Sequence, residues 1–511
     1  MGTLTRVLIA TLLAASAFAQ VRETTTVEVV NVPVYVTANN APVTSLTRDN
    51  FELYVNGKRQ PIDYFDVIDY ATLSPEQHDV RQRRLYMLVF DELSPPNALY
   101  RARNAALQFI DKAAPNETIG IATMDLRGLK IVVPFTRDHL AVERGVRELN
   151  LTNVNDPLHL AVGADMPPVS RGKLRDPMGD ASLFDPELTA TEIVDNEIAN
   201  LADLADRLSG MEGQKHVVLL SAGFSSSTVH GIHDRPLDDI RRGPIRGMGD
   251  LDRGLYGRGA PAMNTVLVEH LNGLHAAYSA AGVFLDAIDI AGLRPFQSTL
   301  SNDSLYMLVR DTGGELIDHR NDLNSALQLL TDTHRVVYSL GFSAHDTGKL
   351  ENKISLKLVN VPRGTQALYR RSFQLGAGQG DTGDMLRLAD IIQNDIEQNG
   401  VTTNVIATNA GKGADVEITL PGRELLAHAS GGFVGAKVMI YVMSGASVVT
   451  FRIKRLDIDL SRAETALENT PVRVRDTFEL PPGHYAAKVV VRMDTTGALG
   501  FGRADVTVGA Q

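Results

Sequence analysis

Asp91 is the residue in this chain best placed to do chemistry. It ends an unbroken apolar run, Tyr86-Met87-Leu88-Val89-Phe90, and is followed by Glu92-Leu93-Ser94-Pro95-Pro96. Five apolar residues without a polar break predict a strand covered on both faces, as in a parallel sheet. In an open α/β sheet, ligands bind just beyond the carboxyl ends of the strands. An acid at such a tip, with the Ser94 hydroxyl three residues on, can meet a cation or a donor-bearing partner. A second buried strand is expected over His216 to Leu220, ending in Ser221-Ala222-Gly223-Phe224, and another over Val283 to Ile288, followed by Asp289. Ser221, Gly223 and Asp289 are therefore expected on the same rim. On the plainer alternative, Asp91 caps the following helix or accepts from loop amides, and Asp289 caps its own loop.

Other constellations carry less chemistry. His230-Gly231-Ile232-His233-Asp234 holds transition-metal ligands but sits in a loop with no second histidine pair nearby. Gly223-Phe224-Ser225-Ser226-Ser227 lacks the second glycine of a G-x-S-x-G nucleophile elbow. No phosphate loop of the G-x-x-x-x-G-K form and no EF-hand loop is present. Five arginines between Arg241 and Arg258 suit an acidic partner or a solvated insertion.

The elements that must position these residues follow from periodicity. A helix is expected from about Pro96 or Asn97, with Ala102, Ala105, Ala106, Phe109 and Ile110 on one side. Strands alternate with helices from 83 to 343, with insertions at 151–187 and 229–262, which predicts a doubly wound, mostly parallel sheet. Residues 24–80 read as β. Val30, Val32, Val34 and Val36 alternate with polar or bulky neighbours, and Pro33 predicts an edge strand because it cannot donate to a ladder. Asn56-Gly57 predicts a hairpin, with a return strand through Ile62, Tyr64 and Val67. Residues 335–375 turn β again and are expected to complete this small unit, since neither half is large enough to bury a core alone. A linker and helix at 376–400 lead to short strands over 401–511, the pattern of a β-sandwich.

Composition sets the class. The chain has 511 residues, 44% hydrophobic and 22% charged, with a net charge of -11. That balance is ordinary for a globular protein and argues against general nucleic-acid binding, which needs basic surface. Arg6, the apolar run Val7 to Ala15 and the triplet Ala17-Phe18-Ala19 read as a signal peptide over 1–19, cleaved near Ala19. Later runs are too short for a transmembrane anchor. The chain has no cysteine, so neither disulfides nor a lipidated N-terminal cysteine is expected. A periplasmic or secreted protein held together by buried cores follows.

The strand–Asp–hydroxyl–helix order around Asp91 resembles the start of a von Willebrand factor A (vWA) domain. The flanking stretches Val32-Pro33-Val34-Tyr35-Val36-Thr37, Thr47-Arg48-Asp49-Asn50-Phe51-Glu52-Leu53-Tyr54 and Tyr338-Ser339-Leu340-Gly341-Phe342-Ser343 resemble the VWFA-related Acidobacterial domain family, over about 24–375. The resemblance implies a vWA fold and export, and no established reaction or ligand. A vWA metal site draws oxygen ligands from three loops. Asp91 keeps the register of the first Asp-x-Ser-x-Ser loop, but Ser94 is one place off and Leu93 and Pro95 hold the hydroxyl positions. The second loop should supply a threonine, with Thr189 and Thr191 as candidates. The third should supply an aspartate where the chain reads Ser221-Ala222-Gly223. Mg²⁺ demands near-octahedral oxygen ligation, so Asp91 and Ser94 form a degenerate site; no cofactor is expected, with Mg²⁺ or Mn²⁺ the ions to test. The sequence thus reads as an exported, non-catalytic module that binds a protein partner through Asp91, Ser94, Ser221, Gly223 and Asp289. The rivals are a serine hydrolase of the cell envelope using Ser94 or the Ser225–Ser227 cluster, and a carbohydrate-binding or structural envelope protein acting through its C-terminal sandwich.

Overall fold

A computed structural model describes residues 28–72, 82–114, 117–149, 186–224, 227–230, 264–293, 303–344, 351–374 and 383–509. The signal-peptide stretch, the arginine-rich loop, His233, Ser225 and Ser226 lie outside the described residues, as does most of the 151–187 insertion.

The central sheet has six strands in the spatial order Leu316–Ile317, Val283–Asp289, Gln214–Ser221, Arg84–Asp91, Thr118–Asp125 and Gly128–Thr136. In chain order this is 3-2-1-4-5-6 read from the Gly128–Thr136 edge. All neighbours are parallel except that edge strand. Every residue of Arg84–Asp91 is buried, and alternation sends its side chains to two different cores. Leu85, Met87 and Val89 pack with the helices Pro186–Leu208 and Thr265–Ala281. Tyr86, Leu88 and Phe90 pack with Pro96–Lys112 and Leu323–Thr333. Each such side chain contributes about 1.5–3 kcal/mol of burial, which is why the run has no polar break. From Arg84–Asp91 the chain crosses to Thr118–Asp125 on one side, and it later returns to lay Gln214–Ser221 on the other. The order reverses between Arg84–Asp91 and Gln214–Ser221, so the crevice of a doubly wound sheet opens at their carboxyl ends.

A second β unit draws strands from both sides of the α/β unit in sequence. Glu28–Ala38 lies between Val336–Ala344 and Thr365–Tyr369, and Tyr64–Asp69 flanks Val336–Ala344. A second sheet places Phe51–Val55 between Lys58–Gln60 and Asn352–Leu358. The two sheets share one core, including Val32, Val34, Leu53, Tyr338, Leu340 and Ile354. Two expectations are corrected. The strand carrying Pro33 is interior, not an edge; its second neighbour pairs only from Val34 onward, so at Pro33 the ladder needs one partner, Ser339. The hairpin at Asn56-Gly57 forms, with φ of 50 and 78, but its return strand is Lys58–Gln60. Tyr64 and Val67 instead cross to Val336–Ala344, because Tyr64–Asp69 finds an open edge there.

Beyond the helix Gly383–Asn394, two antiparallel sheets share a third core. One holds Asn404–Asn409, Gly413–Leu420 and Val472–Glu479. The other holds Ser447–Asp459, Phe433–Ser444, Gly483–Met493 and Leu499–Val508. Leu388, Ile391 and Ile392 of the helix pack on the outer face of the four-stranded sheet, against Met439, Met443 and Val490. Among the described residues no helix is long and apolar enough to cross a membrane.

Candidate functional site

The chain brings Asp91, Ser94, Ser221 and Gly223 together at the crevice. Asp91 and Ser221 are the last residues of adjacent parallel strands. Ser94 Oγ donates to Asp91 Oδ2 at 2.9 Å, and Ser221 Oγ donates to the same oxygen at 2.6 Å. Asp91 Oδ1 accepts from the Leu93 amide at 3.0 Å. The two hydroxyls are used a second time. Ser94 Oγ accepts from the Ala222 amide at 2.9 Å, and Ser221 Oγ accepts from the Gly223 amide at 2.8 Å. Every side-chain oxygen of the trio therefore has a protein partner, and all three residues are buried. Asp91 does not cap the following helix; Pro95 is its N-cap and provides no side-chain bond. Burial pushes the Asp91 carboxyl up, while the Ser221 hydroxyl, the Leu93 amide and the Ser94 hydroxyl pull it back.

Gly223 is held by geometry. Its φ is +74, and a Cβ there would lie 2.5 Å from Ser304 Oγ and 3.1 Å from Leu305 Cγ. Only glycine takes this left-handed turn at such close quarters. Asp289 stands opposite Ser221 in the ladder, so Asp91, Ser221 and Asp289 form one row across three strand ends. Asp289 Oδ1 accepts from the Ala291 amide at 3.0 Å, which shapes its own loop. Of the threonine candidates, Thr189 has a side chain outside the described residues, and Thr191 lies half-buried in Pro186–Leu208.

Sequence reading missed Glu197. It is 6% exposed, on the face of Pro186–Leu208 that also carries Val194, Ile198, Leu201 and Leu204. Its Oε1 has no hydrogen-bond partner. Burial first, and then the negative charge of Asp91, push its carboxyl well above the ordinary glutamate range. The trio thus has a neighbouring acid, supplied by a helix rather than a loop. An acid at i+3 and i−4 to buried Val194 and Leu201 is the signal that could have found it.

The raised Glu197 has a consequence for stability. The folded chain holds this proton more tightly than the unfolded one, so the contribution is present in acid and is lost as pH rises through the folded value. Glu197→Gln, which cannot ionise, is expected to raise stability at about pH 7 and to gain less at about pH 4, each unit of difference being worth about 1.4 kcal/mol. Urea midpoints of both proteins at the two pH values check this; an equal shift at both would exclude a raised acid.

Glu92, half-buried beside the trio, is pushed up by burial and then by Asp125. Around it the rim exposes Pro96 and Asn97. Two large apolar side chains also stand out here, Tyr100 at 57% and Leu293 at 60% exposed. Arg101 Nη2 donates to the Ile290 carbonyl at 2.9 Å, which ties the loop leading to Leu293 against the helix that carries Tyr100.

Comparison with known proteins adds little. No protein-family model matches the chain, and no curated protein matches it. Among solved structures, a crystal structure of the SpRpn10 VWA domain is similar at 12% identity, over 48% of this chain and 93% of that one, with a TM-score of 0.19. At that score the likeness carries no argument, and the strand order rests on the pairings within the sheet.

Proposed function

We propose that the chain is an exported vWA-like binding module of the Acidobacterial type, which offers the carboxyl rim of its central sheet to a protein partner without a metal ion and without catalysis. One observation carries this reading: the oxygens of Asp91, Ser94 and Ser221 are bonded to one another and to loop amides. A Mg²⁺ or Mn²⁺ site needs about six oxygens free to converge on the ion. This donor set does not fit that demand, because its hydroxyls point at the carboxylate and its second strand end bears Ser221 rather than an acid. The same closure speaks against a nucleophile. An activated serine needs a base in hydrogen-bond reach, and among the described residues no histidine hydrogen-bonds to Ser94 or Ser221. The doubly wound, mostly parallel sheet with Asp91 at the end of its first strand agrees with the vWA-like reading of the sequence, and Tyr100 and Leu293 supply exposed apolar surface beside the crevice.

Calorimetric titration with Mg²⁺ and Mn²⁺ tests the metal-free reading. No saturable heat is expected from wild type or from Asp91→Ala; saturable binding abolished by the substitution would overturn it. A partner captured from envelope extract is expected to bind equally with and without chelator and to be lost with Tyr100→Ala. Fluorophosphonate labelling that disappears in Ser94→Ala would restore the hydrolase.

A further inference from the structure

A second cluster lies far from the crevice, at the seam between the α/β sheet and the N-terminal β unit. His216 is the third residue of Gln214–Ser221, Asp286 sits in the middle of Val283–Asp289, and His334 follows Leu323–Thr333. Tyr35 reaches in from Glu28–Ala38. All four are fully buried. Ligand-capable atoms of the two histidines and the aspartate lie within 4.8 Å of one another. His216 Nδ1 is 3.1 Å from Asp286 Oδ2, and His216 Nε2 is 2.9 Å from the Tyr35 hydroxyl. His334 Nε2 is 3.6 Å from Asp286 Oδ1, too far for a hydrogen bond. Neither ring nitrogen of His334 has any hydrogen-bond partner. The His334 ring stacks on His216 with centroids 3.9 Å apart, and a buried polar group left unpaired is costly, so its nitrogens have bonding capacity to spare.

We propose that His216 Nδ1, His334 Nε2 and the Asp286 carboxylate hold one structural divalent transition-metal ion, with zinc the fit to the donor set. Three observations support the site. Zinc takes imidazole nitrogen and carboxylate oxygen at about 2.0–2.2 Å in a tetrahedron, which places its ligand atoms roughly 3.3 Å apart. The separations of 3.1 and 3.6 Å lie on either side of that value. Both Asp286 oxygens face the imidazoles, Oδ1 also accepting from the Glu315 amide at 2.9 Å, so the carboxylate is a chelating ligand and three side chains supply four donor atoms in a distorted tetrahedron. His216 directs its other nitrogen at the Tyr35 hydroxyl, the kind of outer partner that fixes the tautomer of a ligating histidine. Arg84, whose Nη1 donates to the His334 carbonyl, is itself paired with Glu117, so the nearest cation is already neutralised. The site has no open face, so the ion would bind the seam together rather than reach a substrate.

The test uses the full chain without a histidine tag, unfolded with chelator and refolded with and without Zn²⁺. One equivalent of zinc is expected after refolding with the ion, with a melting temperature at least about 5 °C above that of the stripped protein. His334→Gln and Asp286→Asn are each expected to hold none. Zinc bound equally by both variants would place the ion elsewhere and overturn the proposal. So would a stripped wild type that melts like the loaded one and takes up no metal. Should the variants fail to fold, the stripped and loaded wild-type proteins decide it.

Discussion

Arg83→Ala is expected to destabilise the chain by about 3–5 kcal/mol, the cost of removing one partner from a buried ion pair. Arg83 is 1% exposed and immediately precedes the central strand Arg84–Asp91. Its Nη1 donates to Asp390 Oδ1 at 2.9 Å, its Nη2 pairs with Asp390 Oδ2, and its Nε donates to the Glu212 carbonyl at 3.1 Å. Asp390 belongs to Gly383–Asn394, the helix whose apolar face packs on the C-terminal β unit. This forked contact, together with the Asn394 amide donating to the Phe135 carbonyl at 3.1 Å and Leu386 packed on the α/β core, joins the α/β unit to that helix. Without the guanidinium, the Asp390 carboxylate keeps, among the described residues, the Asn394 amide at 2.8 Å. Urea unfolding measures the loss. The pair is costly to break but not costly to replace, because both ions have surrendered water. Arg83→Met combined with Asp390→Leu is accordingly expected to recover most of the stability that either single change loses. Equal losses in the double and single variants would mean that packing of the long Arg83 stem, not the charge pair, holds the joint.

The central strands were legible because burial on both faces leaves one kind of sequence. Tyr86 to Phe90 and Val217 to Leu220 are apolar without a break, and the rim positions of Asp91 and Ser221 follow from where those runs stop. The edge strand Ser447–Asp459 was not legible. Its Phe451 and Ile453 are exposed at 57% and 59% and alternate with Arg452 and Lys454, so no buried face marks it. Pro33 misled because a proline's missing donor matters only where a second strand is paired at that residue. The partners of Asp91 divide in the same way. Ser221 is visible as a strand end, whereas Glu197 stands on the apolar stripe of an otherwise regular amphipathic helix and is brought in by tertiary packing. The His216–Asp286–His334 cluster spans 118 positions of chain and carries no local spacing at all. Nothing short of the ladder register and the return of the chain into the N-terminal β unit could have assembled it.

Asp91→Ala is the second large effect expected, and it bears directly on what the crevice does. The carboxylate accepts from two buried hydroxyls and from the amide of half-buried Leu93. Its removal leaves three buried donors short of an acceptor, each worth about 1–3 kcal/mol when isolated. Ser94 and Ser221 can turn to other oxygens, so a total near 3 kcal/mol is expected rather than the full sum. Asp91→Asn should fall between: its carbonyl can serve both hydroxyls, but its NH₂ then faces the Leu93 amide, donor against donor. In a network closed on itself these losses do not depend on divalent ions. In a metal site the wild type alone would gain stability with Mg²⁺, by RT ln(1 + [Mg²⁺]/Kd), and the gap to the variants would widen as the ion is added. Thermal melts of wild type, Asp91→Asn and Asp91→Ala across a Mg²⁺ series separate the two. Parallel, flat lines are the expected outcome, since the Asp91 carboxylate is already shared by two hydroxyls and an amide and holds the loops of the rim in place.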